Sequence, residues 1–143
     1  MNGFVGQYEH QMDQKGRVSL PSAFRREADS DHFVLLQWEP LYLTLFPDKK
    51  WGEVQENLLE YRRRDPKAWN HVRMIIANAV EVSPDKQGRI LVPSGLQVGA
   101  GLSGTVLLSG NIDRVELWNP ETYHEAVQDD SGNLALFAHK LFG

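Results

Sequence analysis

The chain has 143 residues, 41% hydrophobic and 24% charged, enough for about one domain whose core needs no covalent staples. It contains no cysteine, which excludes disulfide frameworks, cysteine nucleophiles, cysteine-ligated zinc and iron–sulfur clusters together. A net charge of −4 and a pI near 5.7 offer no compositional support for nucleic-acid binding, although a local basic surface is compatible with an acidic whole.

The opening Met1-Asn2-Gly3-Phe4-Val5-Gly6 lacks the basic and apolar regions of a secretory signal. No apolar run approaches the ~18 residues of a membrane span. The expectation is a cytoplasmic protein without a membrane partner. Residues 1–72 carry ten Lys/Arg and eleven Asp/Glu, and residues 73–143 carry five and eight, so neither half is basic.

In chain order, residues 8–12 read as a strand and 13–16 as a turn, with Asp first and Gly fourth. Residues 17–20 read as a second strand, ended by Pro21 because proline cannot donate to a ladder. A short helix is predicted over 22–28, then a hairpin with strands 33–37 and 42–46 around Glu39-Pro40. A helix starts at Pro47-Asp48, with Asp48 as its cap. Its charge run Arg62-Arg63-Arg64 reads as a solvated helix end near the negative pole, with a phosphate-facing patch as the alternative. Asp65-Pro66 begins a further helix, in which Trp69, Val72, Ile75/Ile76 and Ala79 recur at helical spacing.

The same order then returns. Residues 79–83 alternate as a strand, 85–88 turn, and 89–92 run to Pro93. A weaker helix over 94–98 is opposed by Gly95. Strands 105–109 and 114–118 form a second hairpin, and Asn119-Pro120 caps and starts a helix. Residues 134–141 are apolar on one face, as in a core helix or an oligomer contact.

This order reflects an internal repeat. Asp13-Gln14-Lys15-Gly16-Arg17-Val18-Ser19-Leu20-Pro21-Ser22 recurs as Asp85-Lys86-Gln87-Gly88-Arg89-Ile90-Leu91-Val92-Pro93-Ser94, at an offset of 72. The same offset aligns Val34-Leu35-Leu36 with Val106-Leu107-Leu108, and Leu43, Leu45 and Phe46 with Val115, Leu117 and Trp118. Two copies are too few for a solenoid, and each is marginal alone. The expectation is one domain over 1–143 whose two copies share a core.

Catalytic and cofactor signatures do not assemble. Gly99-Ala100-Gly101-Leu102-Ser103-Gly104 matches GxGxxG, but the predicted helix precedes it and the strand follows, the reverse of a dinucleotide site. It reads as a connection. His10, His32, His71, His124 and His139 are scattered, and no serine sits in a GxSxG elbow. Asp13 and Asp85 are related by the repeat and form a conceivable carboxylate dyad, but turn stabilisation by their own backbone is the better reading. Neither an enzyme, a metal, a cofactor nor a small-molecule ligand is expected.

The doubled turn remains, with Lys15, Gly16 and Arg17 in one copy and Lys86, Gly88 and Arg89 in the other. Asp and Gly serve turn geometry. The recurring Arg has two readings of equal standing. One is an Asp–Arg ion pair across the turn. The other is a surface where guanidinium recognises phosphate or guanine.

The chain resembles the MraZ family of bacterial transcription regulators, which have two AbrB-like modules. The resemblance rests on Phe4-Val5-Gly6, Asp13-x-Lys15-Gly16-Arg17-Val18-Ser19-Leu20-Pro21, Asp85-x-x-Gly88-Arg89-Ile90-Leu91-Val92-Pro93 and Val115-Glu116-Leu117-Trp118. It covers nearly the whole chain. About two residues precede the family's usual Phe-x-Gly start. Gln87 stands where the first copy has Lys15, its lysine being displaced to Lys86.

The resemblance implies an α+β fold: a double-split β-barrel of two pseudo-symmetric AbrB/MraZ-like modules, 4–72 and 76–143, with flanking helices. It implies a ring-like homo-oligomer, nucleoid-associated, that binds short direct repeats in promoter DNA and represses its own cell-division and cell-wall gene cluster. DNA-contacting positions map onto Lys15, Arg17 and Arg89, with Lys86 a further candidate, and Asp13, Gly16, Asp85 and Gly88 form the turn motif. On this view Arg17 reads base edges, while Lys15 and Arg89 neutralise phosphates. The competing expectation is an oligomeric protein-interaction module without DNA specificity.

Overall fold

The computed structural model describes residues 3–128 and 130–143, so Met1 and Asn2 of the opening segment lie outside it. Strand β1 (Gln7–Gln11) is followed by β2 (Arg17–Ser19), α1 (Ser22–Ala28), β3 (Phe33–Glu39), β4 (Tyr42–Pro47) and α2 (Asp48–Arg64). A 3₁₀ turn, Pro66–Ala68, leads into α3 (Trp69–Asn78). Then come β5 (Val80–Val82), β6 (Arg89–Leu91), α4 (Ser94–Gly99), β7 (Thr105–Gly110), β8 (Val115–Trp118), α5 (Pro120–Gln128) and α6 (Leu134–Phe142). The fold is mixed α+β.

Six strands form an antiparallel sheet in the order β1-β7-β8-β4-β3-β5, open at β1 and β5. The other two, β2 and β6, form a separate antiparallel ribbon. The copies interlock: β1 pairs with β7 of the second copy, and β5 pairs with β3 of the first. Across the ribbon Val18 faces Ile90, and in the sheet centre Thr44 faces Glu116. Both pairs join residues at the repeat offset, so a local two-fold axis passes through them.

The sheet is covered on both faces, which is why Phe33-Val34-Leu35-Leu36 is apolar without alternation. Phe33 and Leu35 join Leu43, Leu45, Leu108 and Leu117 in the larger core, closed by Val18 and Ile90 from the ribbon and Phe24 from α1. Val34, Leu36 and Phe46 point to the opposite face and meet Val54 of α2, with Trp51, Leu58 and Ile75 packed around them. Each such buried side chain contributes about 1.5–3 kcal/mol relative to exposure.

Local details refine the sequence expectations. Asp48 is the first helical residue of α2 rather than its cap; extended Pro47 precedes it, and the carboxylate favours the positive helix end. Asn119 does cap α5, its Oδ1 accepting from the Glu121 and Thr122 N–H groups at 2.9 and 3.4 Å. Asp65 accepts from the Lys67 N–H at 3.0 Å and starts the 3₁₀ turn, with α3 following it. Helix α4 forms despite Gly95, because Leu96 is buried and the Leu96 and Gln97 N–H groups both reach the Pro93 carbonyl at 3.0 Å. Helix α6 has no buried residue; Phe137 is 57% and Phe142 86% exposed, so it is not a core helix. Among the described residues no helix is long and apolar enough to cross a membrane.

Candidate nucleic-acid interface

The two DxxGR turns share one hydrogen-bonded plan. The Gly16 N–H donates to the Asp13 carbonyl at 3.0 Å, and the Asp13 N–H to the Arg17 carbonyl at 2.9 Å. Asp13 Oδ1 accepts from the Lys15 and Arg17 N–H groups at 3.0 and 2.9 Å, leaving Oδ2 for Arg17 Nε at 2.7 Å. In the second copy Asp85 Oδ1 accepts from Gln87 and Arg89 N–H, both at 2.9 Å, and Oδ2 meets Arg89 Nε at 3.1 Å. An Asx-type turn of this kind needs a short acceptor at the first position and a residue tolerant of positive φ at the fourth. Gly16 and Gly88 supply φ of +88° and +78°.

These donors set the charge state of the carboxylates. The Arg17 backbone N–H, then its guanidinium and the Lys15 N–H, hold Asp13 below its ordinary pKa of 3.8. The Arg89 and Gln87 N–H groups, then the Arg89 guanidinium, do the same for Asp85. Both are ionised at neutral pH, so they do not form a proton-sharing dyad.

The ribbon brings the two turns together. Val18 and Ile90 point into the core, so Arg17, Ser19, Arg89 and Leu91 alternate onto the outer face. Arg17 lies opposite Leu91 and Arg89 opposite Ser19, which places the two arginines on one diagonal. Arg89 Nη1 also reaches 3.8 Å from Asp13 Oδ2, linking the copies. Lys15 and Lys86 sit exposed on the two turns at opposite ends. All eight sequence-predicted residues therefore belong to this ribbon and its turns.

The ion-pair reading of the arginines is realised, and it leaves room for the other. Arg17 binds Asp13 through Nε, and among the described residues its terminal nitrogens have no partner. The carboxylate thus fixes the guanidinium while its outer edge remains available. The pairs are about one-third exposed, where an isolated ion pair adds little stability.

Two residues at the turns were not singled out from the sequence. Arg25 of α1 lies over Gly88, its Nε donating to the Leu20 carbonyl at 3.1 Å. Gln97 of α4 lies over Gly16, its Nε2 donating to the Val92 carbonyl at 2.8 Å. They occupy equivalent places in the repeat, and that shared offset was the available signal. Arg25 adds an exposed cation beside the second turn. Ser19 and Leu91 complete the outer face, which only the ribbon register reveals.

A family model described as "MraZ protein, putative antitoxin-like" matches residues 4–73 and again 75–140. Among curated proteins, the chain is 35% identical over 138 residues to the transcriptional regulator MraZ of Pediococcus pentosaceus, covering 96% of each chain. It is 34% identical to that of Caldicellulosiruptor saccharolyticus, over 96% of this chain and 95% of the relative. It is 39% identical to that of Caldanaerobacter subterraneus subsp. tengcongensis, over 85% and 84%. With both halves matched and relatives aligned almost end to end, the chain belongs to the MraZ family.

Proposed function

We propose that this protein is a sequence-specific DNA-binding transcriptional regulator, cytoplasmic and nucleoid-associated, with no catalytic step. The observation that carries the reading is the convergence of both DxxGR turns on one antiparallel ribbon with Arg17 and Arg89 outward. A two-stranded ribbon fits the major groove of B-DNA, about 12 Å wide. Arg17 reads base edges, with guanine as the bidentate partner, while Lys15, Lys86 and Arg89 neutralise phosphates. Ribbon and sheet act together as a double-split β-barrel of two modules, 4–72 and 76–143, within one domain.

A ribbon this short makes few base contacts. A ring-like homo-oligomer that presents it repeatedly to direct repeats gains affinity through effective concentration, provided subunit and repeat spacing agree. The targets are repeats upstream of the protein's own cell-division and cell-wall cluster, which it represses. The acidic remainder of the molecule limits non-specific attachment.

Fluorescence anisotropy with the DNA upstream of the gene, against a scrambled duplex over a salt series, tests this reading. Wild type prefers the upstream DNA and weakens steeply with salt. Arg17→Ala loses about 1–3 kcal/mol of discrimination, the worth of one bidentate base contact. Equal binding of both duplexes by wild type would refute the reading and favour an oligomeric protein-interaction module, for which the exposed apolar side chains of α6 are the motivating feature.

A further inference from the structure

The ribbon does not use the Arg62-Arg63-Arg64 run, although it is the densest positive charge in the chain. The run ends α2, and the 3₁₀ turn folds the chain back so that Trp69 meets it. The Arg62 guanidinium carbon lies 4.4 Å from the indole centroid, and that of Arg73, on α3, lies 5.6 Å from the same ring. Arg64 lies 5.9 Å from the Tyr61 ring. Lys67 stands exposed on the intervening turn, and Trp69 is 42% exposed.

This corner is poorly neutralised. Residues 60–73 carry five basic and two acidic side chains, whereas the rest of the chain carries ten and seventeen. Glu60 is shared between Arg63 and Arg64, 3.8 Å from each. Asp65 is occupied in capping the 3₁₀ turn. The α2–α3 pair covers the Val34, Leu36 and Phe46 face of the sheet, while the ribbon covers the Leu35 and Leu45 face. Two layers, at about 10 Å each, therefore separate the basic corner from Arg17.

We infer that the α2–α3 corner is a second, sequence-independent nucleic-acid surface, which takes the phosphate backbone of a DNA segment other than the one on the ribbon. The inference rests on the regulator reading above. Arginine-rich clustering at one helix end is an electrostatic footprint of such binding. Guanidinium forks match phosphate bidentately, and stacking holds Arg62 and Arg73 on Trp69 and Arg64 on Tyr61. The corner offers no base-reading ribbon, so it adds affinity without changing sequence preference.

The test uses the full chain carrying Lys15→Ala, Arg17→Ala, Lys86→Ala and Arg89→Ala, which silences the ribbon and its turns, and a scrambled duplex followed by anisotropy over a salt series. Residual, salt-dependent binding is expected. Adding Arg63→Gln, Arg64→Gln and Arg73→Gln lowers the log–log salt slope by about 3, one for each phosphate that is no longer neutralised. Arg63→Lys with Arg64→Lys keeps the slope, which guards against a folding artefact. In the chain with an intact ribbon, the three glutamine substitutions leave the ratio of upstream to scrambled affinity unchanged. An unchanged slope, or no residual binding once the ribbon is silenced, would overturn the inference and leave the corner to an acidic protein partner. Failure of the regulator reading looks different: wild type shows no preference for the upstream DNA whether or not the corner is altered.

Discussion

Alanine at the two turn glycines separates backbone strain from packing, because the two sites share the first and differ in the second. Both glycines have positive φ, so alanine costs about 1–2 kcal/mol at either. At Gly16 a Cβ lands 2.7 Å from the Val92 carbonyl oxygen and collides with the Gln97 amide. That carbonyl is held: it accepts from Gln97 Nε2 at 2.8 Å, and the Val92 N–H donates to the Gly16 carbonyl at 2.8 Å. Moving it opens the ribbon end, adding about 1–3 kcal/mol. At Gly88 the Cβ meets the Arg25 guanidinium carbon at 2.9 Å, the far end of an exposed, flexible side chain. Swinging it aside sacrifices one hydrogen bond to the Leu20 carbonyl, about 1 kcal/mol. Gly16→Ala should therefore cost about 2–5 kcal/mol and Gly88→Ala about 2–3. Urea unfolding followed by tryptophan fluorescence reads the difference. With a slope near 2 kcal/mol per molar, the Gly16→Ala midpoint falls up to about 1 M below that of Gly88→Ala. A Gly88→Ala midpoint below that of Gly16→Ala would refute the claim that rigid backbone rather than backbone dihedral distinguishes the turns.

Further predictions concern charge and buried polarity. Asp13 and Asp85 have folded pKa values below their ordinary value of 3.8, so their stabilisation is full above that pH and is lost as pH falls through the depressed folded values. Urea midpoints of wild type and of Asp13→Asn/Asp85→Asn should differ near neutrality and converge in acid; a gap that persists in strong acid would contradict this. Thr44 Oγ1 is buried without a hydrogen-bond partner among the described residues, so Thr44→Val should raise stability by about 1 kcal/mol in the same assay. Its pseudo-symmetric partner Glu116 behaves oppositely, accepting from Trp118 Nε1 at 2.9 Å and Asn111 Nδ2 at 3.0 Å. Glu116→Leu should cost about 1–3 kcal/mol by orphaning the indole N–H, whereas Glu116→Gln, which keeps an acceptor, should cost less.

Much of the candidate site was legible in the sequence because turns are local. Asp13 bonds chiefly to residues within four positions of it, so the DxxGR spacing alone carries the turn chemistry. The repeat offset likewise exposed both copies, and α1 spans Ser22–Ala28, the range predicted for a short helix after Pro21. Helix α4 was harder, since Gly95 opposes it and the burial of Leu96 favours it, and burial is a tertiary quantity. The ambiguity of the last helix had the same origin. An apolar face at helical spacing does not say whether anything covers it, and within this chain α6 has no buried residue.

By itself the sequence determined the two turns, the order of elements, the charge of the Arg62-Arg63-Arg64 run and the membership of both halves in one repeat. These depend on residue type at short spacing, where backbone geometry leaves few choices. Tertiary structure decided everything that depends on which strand meets which. It paired β2 with β6, distant in the chain, turning two separate DxxGR motifs into one outward face with Arg17 and Arg89 on a diagonal. It set the basic α2–α3 corner on the opposite side of the sheet from that face. It also formed the Asp–Arg ion pair in each turn, through Nε in both copies, and left the outer edge of the Arg17 fork open for the proposed contact. Partner choice between distant strands is settled by shared burial, and no pattern confined to one segment records it.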